Sequence, residues 1–123
     1  MIKVEIKGLD QLAKALKQYP EKSAKNIQEA INKSILQVER KAVPKTPVDT
    51  GRLRAGYRTS FGMLKGSLYN PVEYAMKQHE GNYRHKVGER KFLKKGLTES
   101  LGQIKRFFEE ALEKTIKAIA GKG

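Results

Sequence analysis

Between Glu21 and Ala42 the apolar residues Ala24, Ile27, Ile31, Ile35, Val38 and Ala42 recur every three or four positions, with Lys, Gln and Glu between them. An α-helix repeats every 3.6 residues, so this spacing gathers the apolar side chains into one stripe over roughly six turns. A stripe of that length has to lie against other apolar surface, and the rest of the chain must supply it. Pro44 and Pro47 stop the helix, because proline lacks an amide hydrogen and clashes with the preceding turn.

The remaining segments supply what that helix needs. Ile2, Val4 and Ile6 alternate with Lys3, Glu5 and Lys7, the period of a half-buried strand. Leu9, Leu12, Ala13 and Leu16 recur at helical spacing and predict a short helix that ends at Tyr19-Pro20. Leu53, Ala55, Tyr57, Thr59 and Phe61 alternate with Arg52, Arg54, Gly56, Arg58 and Ser60. This predicts a strand with three arginines on one face and apolar side chains, Tyr57 and Phe61 among them, turned to the core. Gly62 is expected to turn the chain, with Met63 to Asn70 as the return strand of a hairpin closed by Pro71. Residues 72–80 read as a short helix and 82–90 as a polar, mobile loop. In the last third, Leu97, Leu101, Ile104, Phe108, Leu112, Ile116 and Ile119 predict a second long amphipathic helix. It begins at a Ser100–Gln103 capping box or earlier, near Phe92, and stops at Gly121. The expected class is α+β, a small antiparallel sheet packed against two long amphipathic helices plus a short one, in a single domain over residues 1–123.

Composition limits the chemistry. With no cysteine there is no disulfide framework, thiolate nucleophile or Cys-ligated zinc. No apolar run approaches the roughly 20 residues of a membrane span, and MIKVEIKG lacks the apolar stretch of a signal peptide, so a soluble chain starting at its own Met is expected. His79 and His85 are the only histidines, and neither sits in an HExxH-type motif or beside a paired-acid motif. Gly51, Gly62 and Gly66 form no phosphate-binding loop, and no serine has a readable triad partner. The expectation is a protein without catalytic residues, metal or cofactor.

Charge is more informative. The 26 Lys plus Arg against 13 Asp plus Glu leave a formal +13, which suits a nearby polyanion or acidic protein surface. The excess sits in two internal segments, with +5 over residues 40–58 and +5 over residues 77–95. On a strand, Arg52, Arg54 and Arg58 would form a row spaced like backbone phosphates, but guanidinium forks suit carboxylates equally. The second segment holds Arg84, Lys86, Arg90, Lys91, Lys94 and Lys95 around the expected loop. Both groups are candidate contacts for a partner or for DNA, and both also read as solvated surface. Between the helix-stopping prolines and the arginines lies a cluster of turn formers, in which Asp49 can accept backbone amides and Gly51 can take positive φ.

That cluster carries a resemblance. Thr46-Pro47-Val48-Asp49-Thr50-Gly51-Arg52-Leu53-Arg54 resembles the proline–aspartate–threonine–glycine–leucine–arginine signature of the tail-component family of long-tailed bacteriophages, also called neck or tail-completion proteins. Val72-Glu73-Tyr74-Ala75 with Glu80-Gly81, and Lys91-Phe92-Leu93 with Leu97, are similar to further family stretches in the same order. Two stretches depart from the pattern: Asn82 follows Glu80-Gly81, and Glu89-Arg90-Lys91 replaces a small residue and proline before Phe92. The resemblance implies a non-enzymatic virion protein at the head–tail junction, made in the host cytoplasm. It also implies a ring of identical subunits around the DNA channel, in contact with connector and tail-terminator proteins. Pro47, Asp49, Thr50 and Gly51 would form its signature loop. A free-standing, sequence-independent nucleic-acid-binding protein and a small basic protein that inhibits a host enzyme are the alternatives that charge leaves open.

Overall fold

The computed structural model describes residues 1–7, 20–48, 51–72, 75, 79 and 91–120. Strand β1 (Ile2–Ile6) opens the chain, and the long helix α1 (Pro20–Ala42) ends where the prolines require, passing into a 3-10 turn at Val43–Lys45. A one-turn helix α2 (Arg52–Ala55), strands β2 (Arg58–Gly62) and β3 (Lys65–Asn70), and the long helix α3 (Phe92–Ala120) follow. The class is α+β, as expected.

The sheet is antiparallel in the order β1-β3-β2, with Ile2 opposite Asn70 on one side of β3 and Arg58 opposite Tyr69 on the other. Ile2 is buried and Val4 and Ile6 are half-buried, while Lys3 and Glu5 face outward and pair at 3.6 Å. The sheet's inner face lies on α1: Gly66 of β3 sits so close to Ile31 and Ile35 that a Cβ there would meet the Ile31 side chain at 2.7 Å. The core joins Ile2, Ile27, Ile31, Ile35, Val38 and Ala42 to Leu53, Tyr57, Leu68 and Phe92.

Helix α3 lies along α1 on a seam of small residues, in which Ser23, Ala30, Ser34, Ser100, Ala111 and Thr115 are all buried. Each hydroxyl of Ser34, Ser100 and Thr115 donates to the carbonyl four residues earlier, so burial leaves these donors satisfied. Asn26 bridges the two helices through its amide nitrogen, 3.0 Å from Thr115 Oγ1.

Several expectations need correction. No strand runs through residues 52–55. Gly51 enters helix α2 at φ +72°, the Ala55 amide closes the turn on the Gly51 carbonyl at 3.0 Å, and Leu53 is buried. One helical turn also brings alternate residues to different sides, so Arg52, Arg54 and Arg58 form no strand-borne row. Phe61 is 43% exposed rather than core, although Tyr57 is buried. The hairpin turns at Met63-Leu64, not at Gly62, which pairs with Lys65. Ser100 is no cap, since α3 begins eight residues earlier, at Phe92. Asp49, Thr50, Arg84, Lys86 and Arg90 lie outside the described residues, as do the helix expected over residues 9–16, the 82–90 loop and Gly121. Of the helix expected over 72–80, only Ala75 and His79 are described as helical.

Candidate partner-contact surface

The signature segment is anchored from within. Thr46 and Pro47 are fully buried, and the Thr46 hydroxyl donates to the Ala42 carbonyl at 2.8 Å, capping the end of α1. That uses the one proton Thr46 has, so the Tyr57 hydroxyl 2.8 Å away is the donor between the two. Burial pushes the Tyr57 phenol up to about 12, since the pocket disfavours a phenolate, and the Glu39 carboxylate adds to the rise. Arg54 faces inward: its Nε donates to the Thr46 carbonyl and its terminal nitrogen to the Pro44 carbonyl, both at 2.7 Å. From the sheet side, buried Asn70 donates to the Leu53 carbonyl at 2.7 Å and accepts the Val72 amide at 3.1 Å. Gly56 fills the remaining space, since a Cβ there would lie 2.6 Å from Val72 Cγ2 and 2.8 Å from Asn70 Oδ1.

Arg52 and Arg58 are brought together by this frame. With Ala55, Gly56, Pro71 and Val72 they line a shallow depression of about 360 Å³. One Arg58 nitrogen donates to the Ala55 and Tyr57 carbonyls at 3.0 and 2.8 Å, which fixes the guanidinium beside the depression. Lys91 belongs to a second group. With Lys45, Lys94, Lys95, Thr98 and Glu99 it lines a depression of about 420 Å³ at the start of α3, where Lys45 forms an ion pair with Glu99. The turn at Val43–Lys45 accepts Arg54 at the Pro44 carbonyl and contributes Lys45 to the second depression.

His79 has a structural task that its sequence surroundings did not reveal. Its ring stacks edge-on to Phe92 at 4.9 Å, its Nε2 accepts the Lys94 amide at 3.3 Å, and its carbonyl accepts the Lys91 amide at 2.5 Å. It therefore satisfies amides at the first turn of α3 that the helix itself leaves open. Among the described residues no group of His, Asp and Glu could hold a metal ion, and no helix is long and apolar enough to cross a membrane. Asn70, which ties the signature to the sheet, also escaped the sequence reading. Asn before Pro71 at the end of an alternating run is a turn signal that would have marked it.

No curated protein and no solved structure matches the chain. A family profile does, that of the HK97-gp10-like family, bacteriophage HK97-gp10 tail-component, over residues 10–93. The match takes in α1, the anchored signature, the hairpin and the first residues of α3, more than half of the sequence. The chain belongs to the HK97-gp10-like family of bacteriophage tail components.

Proposed function

We propose that this tail component works at the head–tail junction, as a neck or tail-completion subunit that joins copies of itself and neighbouring connector and tail proteins around the DNA channel. It acts as a building block and not as an enzyme. The observation that carries this reading is the unequal exposure of the arginines in and just after the signature. Arg54 is half-buried over the Thr46 and Pro44 carbonyls, whereas Arg52 and Arg58 are exposed at the rim of a depression, with Arg58 oriented there by the Ala55 and Tyr57 carbonyls. The lysine group at the start of α3 supplies a second cationic surface.

Identical subunits that meet head to tail close into a ring when the rotation between neighbours completes a circle, and a ring at that place surrounds DNA of every sequence. Contact with it must then be made through phosphates, without reading bases, and must weaken steeply as salt rises. The same surfaces can seat carboxylates of a neighbouring subunit. Electron microscopy of particles assembled without the protein tests the placement. Filled heads and separate, finished tails are expected; normally joined particles would refute it.

A free-standing nucleic-acid-binding protein is the second reading, favoured by the formal +13 alone. It predicts tight binding to duplex by the isolated chain at moderate salt, and joined particles in its absence.

A further inference from the structure

We infer that the open edge of β2 is a docking edge, and that it takes up as a fourth strand an extended, acidic segment of a partner polypeptide. The sheet has two edges, β1 and β2, and they are treated differently. Along β1, Lys3, Glu5 and Lys7 place a charge at every second residue and pair with one another at 3.6 and 3.7 Å, which guards that edge against further pairing. Strand β2, Arg58-Thr59-Ser60-Phe61-Gly62, has one charged residue, and its guanidinium is turned back onto the Ala55 and Tyr57 carbonyls. Its first four residues are all exposed.

The register says which atoms are offered. Gly62 and Lys65 flank a two-residue turn, so they form a hydrogen-bonded pair, and the alternation of an antiparallel ladder puts Ser60 with Ser67 and Arg58 with Tyr69 in the same class. The amides and carbonyls of Thr59 and Phe61 therefore point away from β3, and among the described residues no strand receives them. On the α1 side of the sheet the half-exposed Phe61 ring offers an apolar side chain beside the added strand.

Charge selects the occupant. Residues 52–72 contain Arg52, Arg54, Arg58 and Lys65 and no Asp or Glu. A second copy pairing β2 with β2 would bring two such segments, each on a body of formal +13, into contact. An acidic strand meets the same edge with favourable charge and gains main-chain hydrogen bonds. The docking edge belongs to the sheet and does not depend on whether the arginine surface meets DNA.

Amide hydrogen exchange of the full chain, with a peptide of alternating valine and glutamate about ten residues long as the probe, tests it. Saturating peptide should slow exchange at Thr59 and Phe61 by about tenfold or more and leave Ser60, already bonded to β3, unchanged. The matching valine–lysine peptide should bind about tenfold more weakly. Thr59→Pro, which removes an outward donor and no bond to β3, should abolish the effect; Thr59→Lys, which keeps the backbone intact and adds a guarding charge, should weaken it in a protein that folds normally. Protection elsewhere or none, equal binding of the lysine peptide, or slowed exchange at Thr59 that depends on protein concentration without peptide would each overturn the inference.

Discussion

Thr46 shows how much one side chain can decide here. It ends α1 through the Ala42 carbonyl and receives the Tyr57 hydroxyl, so the helix terminus and the start of the hairpin meet at one oxygen. The phenol is raised from 10.0 to about 12 on folding, which means that the folded chain holds this proton more tightly than the unfolded one. Below pH 10 both states are neutral at Tyr57 and its contribution is complete; between pH 10 and 12 the unfolded chain ionises first, and about 2 to 3 kcal/mol of stability is lost. Urea unfolding across that range should show the fall. Tyr57→Phe, less stable by about 1 kcal/mol at neutral pH, should fall less steeply. Arg54 is tested in the same assay: Arg54→Met leaves the Thr46 and Pro44 carbonyls without their donor and should cost about 1 to 2 kcal/mol. Residue types alone showed that Arg54 was cationic. They did not show that it was turned inward, because a guanidinium half-buried over its own chain's carbonyls and one that stands exposed at the surface have the same sequence.

At the scale of elements, long periodic runs were legible and single turns were not. The stripes of α1 and α3 repeat often enough that only a helix satisfies them, and β1 alternates cleanly enough to fix its buried face. Helix α2 is four residues long, too short to show a period; bounded by Gly51 and Gly56, its sequence fits alternation and a helical turn equally well, and the burial of Leu53 decides. The hairpin turn was displaced for a similar reason. Leu64 takes φ 55°, a left-handed conformation that Gly62 would adopt more easily, because its side chain is buried and Gln28 of α1 holds the turn. Gln28 donates to the Lys65 carbonyl at 3.1 Å and accepts the Leu64 amide at 2.5 Å. The α1–α3 seam is a sharper test. A Cβ at Gly96 would lie 2.8 Å from Ala42 Cβ and 2.9 Å from its backbone nitrogen, atoms that cannot swing aside. Gly96→Ala gains up to about 1 kcal/mol of helix propensity yet should destabilise the protein by about 1 to 3 kcal/mol overall through overpacking, measured by thermal unfolding. Gly102→Ala, with open space around it in the same helix, should stabilise it.

For the whole molecule the question is what a formal +13 is for. A solvated, solubilising charge would be spread, and removing any two cations would have the same small effect. In this fold Arg52 and Arg58 share one depression, while Lys45, Lys91, Lys94 and Lys95 share another. The two basic segments were legible in the sequence, but the sorting of their members into structural and exposed groups required the backbone. Reversing Arg52 and Arg58 together to Glu isolates the exposed group. Each reversal changes the charge by two, taking +13 to +9. The carbonyls released by Arg58 lie near the surface, where water replaces the donor, so far-UV circular dichroism should remain that of the parent. If the pair faces DNA, the slope of log affinity against log salt for duplex should become shallower by about two, one for each phosphate that is no longer neutralised, with no change in sequence preference. A variant carrying Glu at two exposed lysines of α3, Lys105 and Lys117, has the same net charge and should lose affinity through the general field while keeping the steeper slope. Equal slopes for the two variants would remove Arg52 and Arg58 from any DNA-facing surface, leaving acidic protein neighbours as the partners they serve.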